Sequence, residues 1–185
     1  MTSYTACDNN RSPLGLLNFS NIREKNKIYV DKTKLIYRIA SQDTPIFFSR
    51  PRRFGKSLLV NTISCLFENG LQYFQRLYIE KLWDDKIYQV SHLDFSDIAS
   101  RNVIDFKSGL CNKIIKIFPI QKNIFNDNPA DLLDEILADT QNNSIVLLID
   151  KYDTPLTHHI SETYTLKEIN NILSEFLCAR HEYLL

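Results

Sequence analysis

The period of the apolar positions changes several times along the chain, and each change predicts an element. The short run 27–30 and the aromatic run 45–49, Pro-Ile-Phe-Phe-Ser, predict strands. Between them, 31–40 predicts a helix with Asp31 or Thr33 as its cap. Leu58, Leu59, Ile63, Leu66 and Phe67 then recur at helical spacing until Asn69-Gly70 supplies a stop. Residues 88–95 read as a strand ending in Asp94-Phe95-Ser96. Apolar residues at 104, 110, 111, 114, 115 and 118 predict an amphipathic helix over 103–118, stopped by Pro119. Asn128 as cap and Pro129 in the first turn open a further helix that buries Leu132, Leu133, Ile136 and Leu137 and ends at Asn142-Asn143. The run 144–150, Ser-Ile-Val-Leu-Leu-Ile-Asp, is aliphatic without a break, the habit of a parallel strand covered on both faces. Thr165 and Glu168 form a capping-box pair ahead of a last helix carrying Leu166, Ile169, Ile172, Leu173, Phe176 and Leu177. Strands alternating with helices predict an α/β fold with a mostly parallel sheet.

Composition narrows the class. The chain has 185 residues, 44% of them hydrophobic, enough for one domain with a sizeable core. Residues 1–12 read as a disordered N-terminus and 13–185 as a single domain. Formal net charge is zero, so no global field draws the protein to nucleic acid or to anionic lipid. No run is long and apolar enough to span a membrane. Cys7, Cys65, Cys111 and Cys178 are too far apart for a CxxC pair, and Cys65 and Cys111 fall in apolar helical patterns as small core residues. A reducing, cytoplasmic setting is the expectation. His158-His159 lacks a partner at helical spacing, which argues against a metal role. Trp83 with Tyr73, Phe74 and Tyr78 reads as core rather than as a stacking platform. His92 and Asp94 share a strand face and read as a strand-end pair satisfied by backbone, the alternative being an approach to a ligand site.

The candidate chemistry lies at 50–57, Arg50-Pro51-Arg52-Arg53-Phe54-Gly55-Lys56-Ser57, placed between a predicted strand and a predicted helix. A phosphate-binding loop needs backbone N–H groups aimed at phosphate oxygens, a lysine for the outer phosphates and a hydroxyl for magnesium. Gly55 permits close backbone approach, Lys56 and Ser57 supply the two side chains, and Leu58 continues into the helix. Arg50 stands where the general pattern has glycine, and Arg52 and Arg53 add guanidinium groups able to pair with phosphate. A second strand of such a site is apolar throughout and ends in an aspartate that holds magnesium through its water shell. Residues 145–150 match that shape, with Asp150 at the end. Hydrolysing proteins of the class place a glutamate next; here the residue is Lys151, whose ammonium, ordinarily titrating near ~10.4, is no general base at neutral pH. Asp153 is the alternative carboxylate, or else a turn residue before Pro155.

Four segments carry a resemblance: Tyr29-Val30-Asp31-Lys32-Thr33, the 49–57 loop, His92-Leu93-Asp94-Phe95-Ser96, and Leu148-Ile149-Asp150-Lys151-Tyr152-Asp153-Thr154-Pro155-Leu156. In this order they resemble the AAA-ATPase-like family of bacterial P-loop proteins, over roughly 13–180, and the arginine-rich loop is normal for that family. The resemblance implies a P-loop three-layer sandwich, ATP and Mg2+ as cofactors, and often a nuclease-like module after the ATPase part. The family reads Asp-Glu-Tyr-Asp where this chain has Asp150-Lys151-Tyr152-Asp153. The sensor strand and later arginines are expected beyond Leu185, leaving the sandwich incomplete on its C-terminal side. The expected function is Mg-ATP binding with weak or lost hydrolysis. An active ATPase driving a conformational change and a non-enzymatic relic are the alternatives. An incomplete sheet exposes an edge, so a homo-oligomer or a protein partner is the remaining partner class.

Overall fold

The computed structural model describes residues 12, 15, 18–42, 44–49, 51, 54–98, 100–118, 126–138 and 145–178. It falls into two compact units, one drawn from Met1–Gln42 and Ile46–Ile87, the other from 43–45 and Tyr88–Leu185.

The first unit is helical. Helix α1 (Phe19–Glu24) is capped by Asn18, whose Oδ1 accepts from the Asn21 N–H at 3.1 Å. Phe19 is fully buried, its ring 4.7 Å from Phe74 and 5.0 Å from Tyr29. Its N–H donates to Asn61 Oδ1 at 2.6 Å, while Arg23 Nε donates to the Tyr73 carbonyl at 2.9 Å. Helix α2 (Thr33–Ala40) has Lys32 at its N-cap with no side-chain capping bond, not Asp31 or Thr33; Asp31 instead bonds the first helical residue, its Oδ1 accepting from the Thr33 N–H at 2.8 Å and from its hydroxyl at 2.6 Å. The other Asp31 oxygen accepts from the Tyr78 N–H at 2.8 Å, and the buried Thr33 hydroxyl accepts from the Ile79 N–H at 3.1 Å. One carboxylate thus ties the entry of α2 to a 3-10 turn at Tyr78–Lys81. Helix α3 (Lys56–Asn69) ends at Gly70, as predicted, with φ +56°. The Trp83 ring meets Phe67 edge-on at 5.5 Å.

The second unit holds the sheet. Strand β1 (Gln89–Asp94) pairs in parallel with β2 (Ile145–Asp150), in a register running from Gln89 opposite Ile145 to Asp94 opposite Asp150. Helices α4 (Val103–Ile117) and α5 (Pro129–Ala138) fill the crossover that a parallel pair requires. The Asn102 and Asn128 side chains cap them, accepting from the Asp105 N–H at 2.8 Å and the Ala130 N–H at 3.0 Å. Helix α6 (Thr154–His158) follows β2, and α7 (Thr163–Cys178) closes the unit. Leu93, Phe95, Phe106, Leu110, Ile114 and Phe176 form the centre of its core.

Several expectations are corrected. Segments 27–30 and 45–49 form no strand, and the described sheet has two strands. Their apolar side chains, Val30 and Phe47 among them, are largely exposed, so composition there does not report a buried ladder. The buried stripe of α4 runs through Phe106, Leu110, Cys111 and Ile114, leaving Ile104 and Ile115 exposed: a 3.6-residue period selects 106, not 104. Helix α7 begins two residues ahead of Thr165, with the Leu166 N–H bonded to the Glu162 carbonyl at 2.9 Å, so Thr165 lies inside the helix. Strand β2 is buried at Ile145 and Val146 but half-buried from Leu147 onward. The described elements combine helices with one two-stranded parallel sheet, an α/β content.

Burial works against ionisation of Asp31, but the Thr33 and Tyr78 hydrogen bonds outweigh it and hold its pKa below the ordinary value. That stabilisation is present above the ordinary carboxylate range of about 4 and is lost as pH falls through the lowered pKa. In denaturant melts at pH 7, Asp31→Ala is expected to cost about 1–2 kcal/mol, in the range of lost hydrogen bonds to a carboxylate, with the difference shrinking in acid.

Candidate functional site

The loop ahead of α3 builds a recognisable local shape. Gly55 is the N-cap in the left-handed region, φ +76° and ψ 22°, and the chain turns directly into the 14-residue helix. A left-handed residue followed by right-handed ones aims successive N–H groups into one concavity, a backbone arrangement that binds anions. The first helical bond runs from the Leu59 N–H to the Gly55 carbonyl at 3.0 Å. The N–H groups of Lys56, Ser57 and Leu58 therefore have no carbonyl one turn back within the helix, and the helix dipole adds partial positive charge there. Among the described residues, nothing lies within 4 Å of a Cβ built at Gly55. Glycine is required instead by the positive φ. Phe54 and Ser57 are exposed beside it and Lys56 and Leu58 half-buried. Arg50, Arg52 and Arg53 lie outside the described residues.

The second unit gathers its polar residues at the carboxyl ends of β1 and β2, where open α/β sheets bind their ligands. Register sets Asp94 opposite Asp150. Lys151, the next residue, has φ +54°, a region that L side chains rarely adopt. Its N–H donates to Asp150 Oδ1 at 2.9 Å, while its ammonium donates to Asp94 Oδ2 at 2.7 Å and to Ser96 Oγ at 3.1 Å. Asp94 Oδ1 accepts twice more, from the Ser96 N–H at 2.8 Å and hydroxyl at 2.6 Å. Asp94 is thereby bonded on both oxygens. Partial burial pushes its pKa up, yet the Lys151 and Ser96 hydrogen bonds prevail and hold it below the ordinary value. The same contact with Asp94 raises the Lys151 pKa. Asp153 serves as the backbone cap of α6, its carbonyl accepting from the Thr157 N–H at 3.0 Å, with no capping bond from its side chain.

The two histidines act on the loop after β1. His158 Nδ1 lies 3.3 Å from the Ser100 hydroxyl, and the buried His159 ring joins the Ser100 carbonyl to Glu162, its Nδ1 3.2 Å from Oε2. Among the described residues, no three His, Cys, Asp or Glu side chains converge to hold a metal by themselves. Nucleotide-bound magnesium needs only one or two carboxylates beside the phosphates. Cys65 and Cys111 are buried, and burial raises both thiols, Cys65 to about 11. Among the described residues, no helix is long and apolar enough to cross a membrane.

The sequence placed Gly55, Lys56, Ser57 and Leu58 at the start of a helix, and that is where they stand. It placed Asp150 at the end of a strand, again as found. The Asp94–Lys151 ion pair was not anticipated, because it spans 57 residues and depends on strand register. The available signal was that two parallel-strand candidates both end in aspartate.

A family model described as "Predicted AAA-ATPase" matches residues 13–183. A protein of Azotobacter chroococcum mcd 1, described as "Uncharacterized protein in vnfD 5'region", is 29% identical over 170 residues, covering 86% of this chain and 32% of that protein. The chain therefore spans about a third of that relative's length. No solved structure gives a significant match.

Replacing Lys151 by Met is expected to raise the Asp94 pKa, followed by carboxyl NMR titration. The Lys151 side chain is about half exposed, which limits the pair to under about 1 kcal/mol after solvent screening. Asp94's share is present above about pH 4 and lost as pH falls through its lowered pKa. The Lys151 share is complete below about pH 10 and lost as pH rises through its raised pKa.

Proposed function

This chain belongs to the predicted AAA-ATPase family, and on that footing we propose that it is an ATP-binding P-loop domain whose hydrolysis is weak or lost. The observation that carries the reading is the left-handed Gly55 followed at once by α3 with Lys56 and Ser57 in its first turn. The residues present suit a polyphosphate: a left-handed glycine with no described atom crowding it, first-turn N–H groups and a lysine at the helix start.

The roles follow residue by residue. Lys56 neutralises the outer phosphates, and the N–H groups from Gly55 to Leu58 face phosphate oxygens. Arg50, Arg52 and Arg53 add guanidinium charge around the same loop, with Phe54 at its exposed tip. Ser57 and Asp150 are the residues that the resemblance assigns to Mg2+, which when bound would supply charge neutralisation of the phosphates. The complete fold on this reading is the three-layer P-loop sandwich, of which β1 and β2 form part. A cytoplasmic setting fits the buried free thiols. A homo-oligomer or a protein partner would cover exposed apolar side chains such as Phe47 and Phe54.

Weak turnover follows from the proton acceptors. Attack by water requires a base close to neutral in affinity, and Lys151 holds its proton more tightly than an ordinary lysine. Asp94 is held in the opposite direction, ionised and bonded on both oxygens, which makes it a poor base as well. Asp150 and Asp153 remain as the carboxylates available for catalysis.

Calorimetric titration tests the reading. Wild-type protein is expected to bind ATP and Lys56→Ala to lose at least about tenfold in affinity, the equivalent of about 1.4 kcal/mol. Phosphate release by the wild type should stay near background and rise in Lys151→Glu. No binding by the wild type would favour the non-enzymatic relic, and brisk release by it would favour the active ATPase.

A further inference from the structure

We propose that the turn over 76–82 in the first unit is a preformed docking surface for an acidic segment of a partner protein, one that carries apolar side chains among its carboxylates. The surface uses residues of that unit alone and is independent of the nucleotide reading.

The backbone of this turn is fixed by side chains far away in sequence. Arg23 donates through Nε to the Tyr73 carbonyl at 2.9 Å and through Nη2 to the Gln75 carbonyl at 2.6 Å. Asp31 accepts from the Tyr78 N–H at 2.8 Å, and the buried Thr33 hydroxyl accepts from the Ile79 N–H at 3.1 Å. Inside the turn, Phe74 and Ile79 are fully buried and anchor it. Arg76 stands in the left-handed region, φ +63°, and its N–H donates to Glu80 Oε2 at 2.7 Å. A non-glycine residue held there is strained, and such strain collects where a binding surface is shaped in advance.

The outer side of the turn is open. Arg76, Leu77, Tyr78, Glu80, Lys81 and Leu82 line a groove of about 490 Å³. Tyr78 is 50% exposed and Leu82 41%, so the groove offers apolar surface to a ligand. Charge selects the occupant. Lys34 Nζ stands 5.7 Å from the centre of the Tyr78 ring. Lys34, Arg76 and Lys81 are exposed, and among the described residues none of the three makes an ion pair. The two carboxylates tied to the turn, Glu80 and Asp31, each accept from backbone N–H groups. Cations without counter-ions around an aromatic and aliphatic floor suit carboxylates that flank an apolar side chain. Tyrosine and arginine are enriched among the residues that dominate protein interfaces, and a backbone ordered beforehand lowers the entropic cost of docking. A nucleic acid suits the groove less, because Leu77 and Leu82 give phosphate no partner and the Glu80 carboxylate repels it.

The test is fluorescence anisotropy of a labelled, end-capped peptide, Glu-Asp-Leu-Phe-Asp-Glu, titrated with the full chain at low salt, with amide NMR shifts to locate it. Saturable binding is expected, with the amides of 76–82 moving together. An analogue with Gln and Asn in place of the carboxylates, and one with Ala at the two apolar positions, should each bind at least about tenfold more weakly. Lys81→Glu should weaken the parent peptide by a similar factor, and so should Arg76→Gly, in which glycine keeps the left-handed backbone. Lys34→Glu replaces the Arg76 variant if circular dichroism shows that the latter is unfolded. Absence of saturable binding by the wild type overturns the proposal, as do shifts confined to residues elsewhere in the chain. Equal affinity for the uncharged analogue, or an unchanged Kd in the Lys81 and Arg76 variants, overturns it too. Tighter binding of labelled oligothymidylate than of the peptide would make the groove a nucleic-acid surface instead.

Discussion

Parallel pairing of two six-residue strands sets the chemistry of the second unit. The register brings two aspartates to one level at the carboxyl end of the sheet, and Lys151 turns into a left-handed conformation to place its ammonium on one of them. Helices α4 and α5, which the parallel crossover requires, supply the apolar faces that bury Leu93, Phe95 and Ile145. Core and charge therefore have one source. A shift of one residue in register would separate the carboxylates and send the strand side chains to the opposite face.

The first unit works differently. It has no sheet of its own among the described residues, and its order comes from polar side chains that bond distant backbone. Asn61 holds α1, Arg23 reaches the Tyr73 and Gln75 carbonyls, and Asp31 joins α2 to the turn at Tyr78. These contacts support the residues on either side of α3, whose first turn carries Lys56 and Ser57. A helix start that presents N–H groups and one lysine beside a left-handed glycine is suited to anions.

Local signals were legible from sequence and long-range ones were not. Asn102, Asn128 and Gly70 act at helix ends within a few residues of themselves, and spacing alone marks two of these three ends. Helices α1 and α6, of six and five residues, are too short to show a period. Segments 27–30 and 45–49 have strand composition, but a strand exists only where a neighbour pairs with it. In the site, the loop was readable because Gly55, Lys56 and Ser57 are contiguous. The function of Lys151 was readable only as an absence of glutamate, since its partner Asp94 is brought in by register.

What most directly decides the matter is whether the backbone at Gly55 faces phosphate. In an amide NMR titration with ATP, the Gly55, Lys56 and Ser57 resonances are expected to move together and to saturate with one affinity. Saturating ATP that leaves these three amides unmoved, or that shifts only resonances elsewhere in the chain, would contradict it.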